Sequence, residues 1–213
     1  IPMPRTLPLL IAATLLTLLG CTMPPRQPAG FLDGYARLAP DPEIDGLLVY
    51  QAPGFDPAAW DRFLIDPIVV RFAPDAKGRD LDPAVLDRLT AYFHTALTTR
   101  VAQRYRVVTQ PGPGVMRVRL AITDVKKTEP ALNLHPATKL SGLGLGGASV
   151  EGEGIDTQTG RTLFAFRHTR PGNRLEIIEG LEPWGHAKDA MDFWAERLVG
   201  RLDAAHGSTR PGR

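Results

Sequence analysis

Apolar positions in this chain follow three patterns, and each predicts a different kind of element. Strict alternation is the clearest: Met116, Val118, Leu120 and Ile122 alternate with Arg117, Arg119 and Thr123, the pattern of a half-buried strand. Leu47 to Tyr50 and Leu64 to Phe72 also read as strands. In the second, Leu64, Ile68, Val70 and Phe72 share a face with Asp66. Pro67 cannot donate to a ladder and points to an edge position or a bulge there. A short strand is expected at Arg106 to Thr109, before the Pro/Gly turn Gln110 to Gly114. Ala148 to Ile155 and Arg161 to His168 flank Asp156-Thr157-Gln158-Thr159-Gly160, a hairpin turn with glycine available for positive φ.

Recurrence every three or four residues predicts two helices. Leu86, Leu89, Phe93, Leu97 and Val101 form a stripe, with Asp82 as cap and Pro83 at the first helical position, so the first helix runs from Pro83 to about Arg104. The second runs from about Trp184 to Ala205 with Ala187, Met191, Trp194, Leu198 and Leu202 as its stripe. Near the start of the domain Phe31, Tyr35 and Leu38 are spaced to dock a short turn on the core. Strands, helix, strands, helix is the order of an α+β fold: a mostly antiparallel sheet with two main helices packed on one face.

The third pattern is a continuous apolar run, Thr6 to Leu19, broken only by Pro8 and preceded by Arg5. A charged start, an apolar middle and small residues before a cut site make a secretory signal peptide, here residues 1–20. As a helix, Leu7 to Leu19 would span about 20 Å at 1.5 Å per residue. A bilayer core is about 30 Å thick and needs roughly 20 apolar residues, so the run is too short for a comfortable span. It ends in Leu18-Leu19-Gly20-Cys21, which carries the one cysteine of the chain and resembles a bacterial lipobox. That resemblance implies a cleaved lipoprotein signal, a diacylglycerol on the Cys21 sulfur and acylation of the new amino terminus. Each buried CH₂ contributes about 0.8 kcal/mol and a single chain holds only reversibly, whereas three chains hold for practical purposes. The bland alternative, a buried structural cysteine, fits poorly beside Thr22-Met23-Pro24-Pro25, where no core can form.

Residues 21–30 then form a lipidated cysteine and a Pro-rich tether with Pro24, Pro25 and Pro28. Residues 31–206 are expected to be one α+β domain, and 207–213 a disordered tail. Thr22 stands where an aspartate retains enteric lipoproteins in the inner membrane. The analogy favours lipid anchoring in the outer membrane, facing the periplasm.

Composition removes several function classes. Loss of Arg5 with the signal takes the formal charge from +2 to about +1, so no polyanion or nucleic-acid partner is indicated. With Cys21 acylated no thiol remains, which excludes disulfides, thiol catalysis and Cys-based metal sites. Gly142, Gly144, Gly146 and Gly147 are followed by Ala148 and Ser149, so neither a Walker loop nor a dinucleotide fingerprint is present. No zinc spacing links His94, His135, His168, His186 and His206. His186 and Asp189 are three apart, yet a surface histidine near a helix start is the better account, and His94 reads as structural. Ser141 and Ser149 lie outside any GxSxG elbow, and spacing singles out no glycosidase carboxylate pair. No cofactor, metal or catalytic residue is expected. Arg117 and Arg119 are expected to meet Glu151 and Glu153 across strands as solvated ion pairs.

One segment is a better candidate. From Thr128 to Gly147 about twenty residues lack a clear element and carry Leu132, Leu134, Leu140, Leu143 and Leu145. These leucines either pack back on the domain or form an apolar patch for an envelope protein or lipid. Trp60 and Trp184 are further contacts, with core packing as the default for large aromatics.

Five motifs also carry a family resemblance. They are Gly30-Phe31-Leu32-x-x-Tyr35-x-x-Leu38, the Asp66-Pro67 strand, Ala91-Tyr92-Phe93, the Gly147-Ala148 strand with its Asp156-x-x-Thr159-Gly160 turn, and Phe193-Trp194-Ala195-x-Arg197-Leu198. Together they resemble uncharacterised lipoproteins of Gram-negative bacteria, grouped as a domain of unknown function. The resemblance implies an envelope location and brings no catalytic residues. The strand–helix order is also similar to small domains of periplasmic assembly lipoproteins, curli secretion components among them, at the level of fold alone. Two functions are carried forward: a non-catalytic binding or assembly module of the envelope, and an envelope hydrolase acting on peptidoglycan or lipid.

Overall fold

The alternating run becomes the longest strand, β6 (Val115–Lys126), and the sheet is built around it. The structure, a computed structural model, describes residues 27–129, 145–172 and 182–207. The other strands are β1 (Ala39–Pro40), β2 (Leu47–Gln51), β3 (Arg62–Ile65), β4 (Val69–Val70), β5 (Arg106–Val107), β7 (Gly147–Asp156) and β8 (Thr162–Pro171). Their order across the sheet is β1-β2-β8-β7-β6-β3-β5, with β4 also paired to β6. The β1–β2, β2–β8, β8–β7 and β7–β6 pairs are antiparallel. Helices α1 (Pro83–Ala102) and α2 (Gly185–Ala205) cover one face. The α+β architecture read from the sequence is therefore the one observed. No helix of the described residues is long and apolar enough to cross a membrane.

Local chemistry explains the helices. Asp82 accepts from the Ala84 amide at 2.9 Å, and Pro83 occupies the first turn of α1. Leu89, Phe93, Leu97 and Val101 are its buried stripe, while Leu86 is half-buried at the margin. In α2 the buried stripe is Ala187, Ala190, Met191, Trp194, Ala195, Val199 and Leu202, and Leu198 lies half-buried beside it. The two helices meet through the Phe93 and Trp194 rings, 5.8 Å apart. At the surface of this seam Tyr92 donates to Asp192 (2.7 Å), Tyr105 donates to Asp203 (2.9 Å), and Arg100 pairs with Asp192 (2.9 Å). Burial and the Asp192 carboxylate push the Tyr92 hydroxyl up to about 12.

The segment expected as one strand, Leu64 to Phe72, is two short ones separated by Asp66-Pro67. The break moves the core side: Phe63 and Ile68 are buried, and Val69 is exposed. Both β3 and β4 run parallel to β6, because the chain returns to the sheet through α1. A register shift in β6 between Ile122 and Asp124 then buries Thr123, Asp124 and Val125 together. In the hairpin, Gly160 takes the positive φ (+69°) that the turn requires.

The other face of the sheet is covered by the N-terminal segment. Of the spaced residues expected to dock there, Phe31, Tyr35 and Leu38 are only half-buried, and Leu32 is the one that enters the interior. Tyr35 docks through its hydroxyl instead. The apolar run 6–19, Cys21 and the start of the tether lie outside the described residues, as do Leu132, Leu134, Leu140, Ser141, Leu143 and the tail after Gly207.

Candidate functional site

Strands lie about 4.8 Å apart and packed helices about 10 Å apart, so two helices cannot roof a sheet of this width. The uncovered part is the β2–β8 end. A 3₁₀ turn at Pro57–Ala59, capped by the Asp56 carboxylate, and the preceding Phe55 close only its rim. What remains is a cleft of about 110 Å³ between α2 and the strands. Val49, Phe55, Phe164, Phe166, Phe193 and Leu198 supply its walls, with His168 and Trp194 behind them. Its volume is of the order of apolar cavities, about 150 Å³, that take a benzene-sized group.

The phenyl walls depend on two glycines. Gly152 and Gly154 stand directly opposite Phe166 and Phe164 on the neighbouring strand. A Cβ at either glycine would run into the facing ring, and at Gly152 also into Leu120. The sequence Glu151-Gly152-Glu153-Gly154 thus places carboxylates on one face of β7 and open backbone, covered by rings, on the other.

His168 fixes the back of the cleft. The Trp194 indole, which can only donate, gives its N–H to His168 Nδ1 at 2.9 Å. His168 Nε2 is then the protonated nitrogen and donates to the Asp45 carbonyl at 3.3 Å. Burial holds this imidazole below its ordinary value of 6.5, so it is neutral at pH 7. Two ion pairs edge the opening: Arg197 with Glu43 at 2.9 Å, and Arg201 with Asp41. Burial opposes ionisation of Asp41, but the Glu43 amide, Arg201 and the Ile44 amide outweigh it and hold the carboxyl below its ordinary value. Arg197 Nε is buried without a partner, a donor facing no acceptor in a wall of the cleft. Buried orphan donors are uncommon and costly.

On the opposite face lies a second polar cluster. Glu151 is fully buried and accepts from the Ala29 amide (3.0 Å) and the Tyr35 hydroxyl (2.6 Å). Tyr35 Oη in turn accepts from the Phe31 and Leu32 amides. Burial, then the Glu151 carboxylate, raises the Tyr35 hydroxyl above its ordinary value. Glu153 pairs with Arg119 at 2.8 Å, and burial raises its carboxyl nonetheless. The expected ladder of solvated pairs is half right. Arg119 meets Glu153 across the strands, but Arg117 pairs with Asp66 (2.8 Å), and both glutamates are buried under the N-terminal segment.

His186 also departs from its expected place on the surface. It is buried, with Nδ1 on Thr128 Oγ1 (3.1 Å) and the Gly146 amide (3.3 Å), and Gly172 lies flat on its ring. Asp189 pairs with Arg170 instead of His186. Gly146 and Gly147 are packed rather than open loop positions, since a Cβ at either would strike backbone. Leu145 is half-buried at the end of the Leu-rich loop. Trp60 and Trp184 are half-buried against the core. Ser149 shares a hydrogen bond with Thr169 (2.9 Å) on the face away from the cleft. No group of three His, Cys, Asp or Glu side chains among the described residues could hold a metal. The cleft was not legible in the sequence because its walls come from four separate segments, β2, the stretch at Phe55, β8 and α2. Its one local signal is the pair of strand glycines.

Residues 27–198 match the family described as "Protein of unknown function (DUF3313)". Over 126 residues the chain is 31% identical to "Uncharacterized lipoprotein YdcL" of Escherichia coli strain K12, covering 57% of this chain and 56% of that protein. The chain thus spans little more than half the length of the curated relatives it matches. Among solved structures it is similar to the PelC dodecamer from Paraburkholderia phytofirmans, at 12% identity and a TM-score of 0.40, covering 77% of this chain and 98% of that one. It is also similar to the hypothetical protein CT253 from Chlamydia trachomatis, at 12% identity and a TM-score of 0.39, covering 70% of this chain and 99% of that one.

Proposed function

This chain belongs to the DUF3313 family of proteins of unknown function, and on that premise we propose that it is a lipoprotein held through Cys21, whose domain binds another envelope protein without catalysis. The lipobox-like Leu18-Leu19-Gly20-Cys21 and the relative's lipoprotein name support the anchor. Residues 1–20 are then the signal, 21–30 the tether, and 31–206 the working domain. Thr22 favours the outer membrane, with the domain in the periplasm.

The observation that carries the binding role is the cleft between α2 and the β2–β8 end. Its walls are mostly phenyl rings, leucine and valine, and among the described residues that line it Arg197 Nε is the buried polar atom without a partner. That combination suits a protein segment that inserts one large apolar side chain and offers a backbone carbonyl to Arg197. A hydrolase would need a nucleophile or paired carboxylates opening into the same space. The carboxylates at its opening, Glu43 and Asp41, are each paired with an arginine, and Ser149, Glu151 and Glu153 are on the far face of the sheet.

A photo-crosslinking residue at Leu198 of the full chain, expressed in a Gram-negative host, tests this reading. It should capture a discrete envelope protein, and Phe193→Asp should reduce that capture about tenfold or more, the scale of a lost interface anchor, with the melting temperature little changed. Equal capture by a well-folded Phe193→Asp variant would reject the cleft as the site. Deleting Leu132 to Leu145 in parallel separates the loop's role, since unchanged capture removes it.

A further inference from the structure

The tether is short and its exit is fixed. Cys21 lies six residues before Gln27, so the lipidated residue stays within about 20 Å of it even at full extension. Gln27 is bound on the sheet face opposite the helices, where Arg167 donates to its carbonyl at 3.1 Å. Two residues on, the Ala29 amide is bound to buried Glu151. The described chain therefore begins over β8 and β7, in the interior of that face rather than at an edge strand.

The same face carries two features that the fold does not explain. Val69 is the one large apolar side chain left exposed among the described residues, at 46%. It lies in register across the sheet with Ala121, Glu151 and Arg167, on the line that holds the tether. Beside it, Arg71 points toward the tether, with its guanidinium 3.9 Å from where a Cβ of Gly30 would stand. Arg37 lies flat over Tyr50 at 4.4 Å on the same face. The neighbouring charges are matched: Arg117 with Asp66, Arg119 with Glu153, and Arg167 with Glu151. Among the described residues Arg37 and Arg71 make no ion pair; Arg37 lies near enough to Glu153 to oppose the rise of its carboxyl, and Asp33 is the exposed carboxylate nearby.

We infer that this face lies against the headgroups of the bilayer that holds Cys21, with Val69, Arg71 and Arg37 in contact and the helix layer, with its cleft, turned away. The inference rests on the reading of Cys21 as the lipidated residue. The partner is an anionic phospholipid surface, which favours each arginine near it by about fivefold. A tethered domain needs no more than that, because the anchor already holds it at the membrane and only its orientation remains to be chosen. Val69 adds apolar contact at the headgroup level.

The acylated Cys21 leaves no other thiol, so single cysteines report orientation cleanly. Full-length protein, with acylation verified by mass, is reconstituted in phosphatidylethanolamine–phosphatidylglycerol vesicles and carries a fluorophore at Val69→Cys or at exposed Glu196→Cys of α2. Asp33→Cys serves as a second reporter on the sheet face if Val69→Cys folds poorly. Nitroxide on the lipid headgroups should quench the sheet-face label severalfold more than the α2 label. Arg37→Glu with Arg71→Glu should shrink that ratio severalfold, with the protein still membrane-bound. An acylated protein whose two labels quench equally, or whose α2 label quenches more, overturns the orientation and leaves the anchor standing. Shielding of the sheet-face label that grows with protein density in vesicles lacking the quencher lipid would assign the face to a second copy and likewise overturn it. A chain without acyl groups overturns anchor and orientation together.

Discussion

Glu151 shows how one residue ties the start of the domain to its sheet. A carboxylate with no solvent contact is costly unless its oxygens are satisfied, and here an amide, a hydroxyl and Arg167 at 3.7 Å do so. All but Arg167 come from residues 29–35, so the N-terminal segment is held by the need to keep that charge paired. Removing the carboxylate leaves the Ala29 amide and the Tyr35 hydroxyl without their acceptor. Glu151→Ala should therefore lose about 3 kcal/mol of unfolding free energy in urea titration, and Tyr35→Phe about 1 kcal/mol. A Glu151→Ala variant as stable as the parent would show the clasp to be incidental. The burial of Glu151 was not legible from its own surroundings. The alternation Glu151-Gly152-Glu153-Gly154 reads as a solvated face, and only the path of a segment more than a hundred residues earlier, reaching Glu151 from Ala29, buries it.

At the scale of elements, what the chain announced and what it hid divide by the distance over which the cause acts. The α1 stripe, the Asp82 cap and the Gly160 turn rest on neighbours within one or two turns, and each is where the sequence pattern places it. Pro67 marks the break at Asp66-Pro67 locally, whereas the parallel pairing of β3 and β4 with β6 depends on the return of the chain through α1, which no local period encodes. The same holds for His186, whose partners Thr128 and Gly146 lie at the ends of other segments. The joint between β8 and α2 has a measurable signature. His168 is held neutral by burial and accepts from Trp194, so its value in the folded protein lies below 6.5 while the unfolded chain keeps the ordinary one. The unfolded state then binds the proton more readily. The stabilisation is complete above about pH 6.5 and is lost as the pH falls through the depressed value. Glu153 runs the opposite way in a lower window, since a carboxyl raised by burial stabilises below its ordinary 4.5 and less above it. Melting temperatures measured from pH 7.5 downward should therefore fall below about pH 6.5, and His168→Gln should flatten that fall. An unchanged slope in the variant would contradict the assignment.

At the scale of the molecule the two faces of the sheet divide the work. One is roofed by α1 and α2 and leaves the apolar cleft at the β2–β8 end. The other is crossed by the N-terminal segment through Gln27 and Ala29, six to eight residues after the proposed anchor Cys21. The helix layer on one face was legible in the two apolar stripes, whereas the cleft was not, because its walls Phe164, Phe166, Phe193 and Leu198 meet only once α2 lies across β8. The proposed anchor, by contrast, rests on four residues, Leu18 to Cys21. The proposed lipid tether at Cys21 fixes where the domain works and is open to direct measurement. Intact mass and membrane fraction should be determined for the wild type beside Cys21→Ser in a Gram-negative host. The account predicts a wild type beginning at Cys21, heavier than the bare chain by a diacylglycerol and an acyl group and found in the outer-membrane fraction, with the variant unprocessed or soluble. A wild type that keeps residues 1–20 and carries no lipid would contradict it.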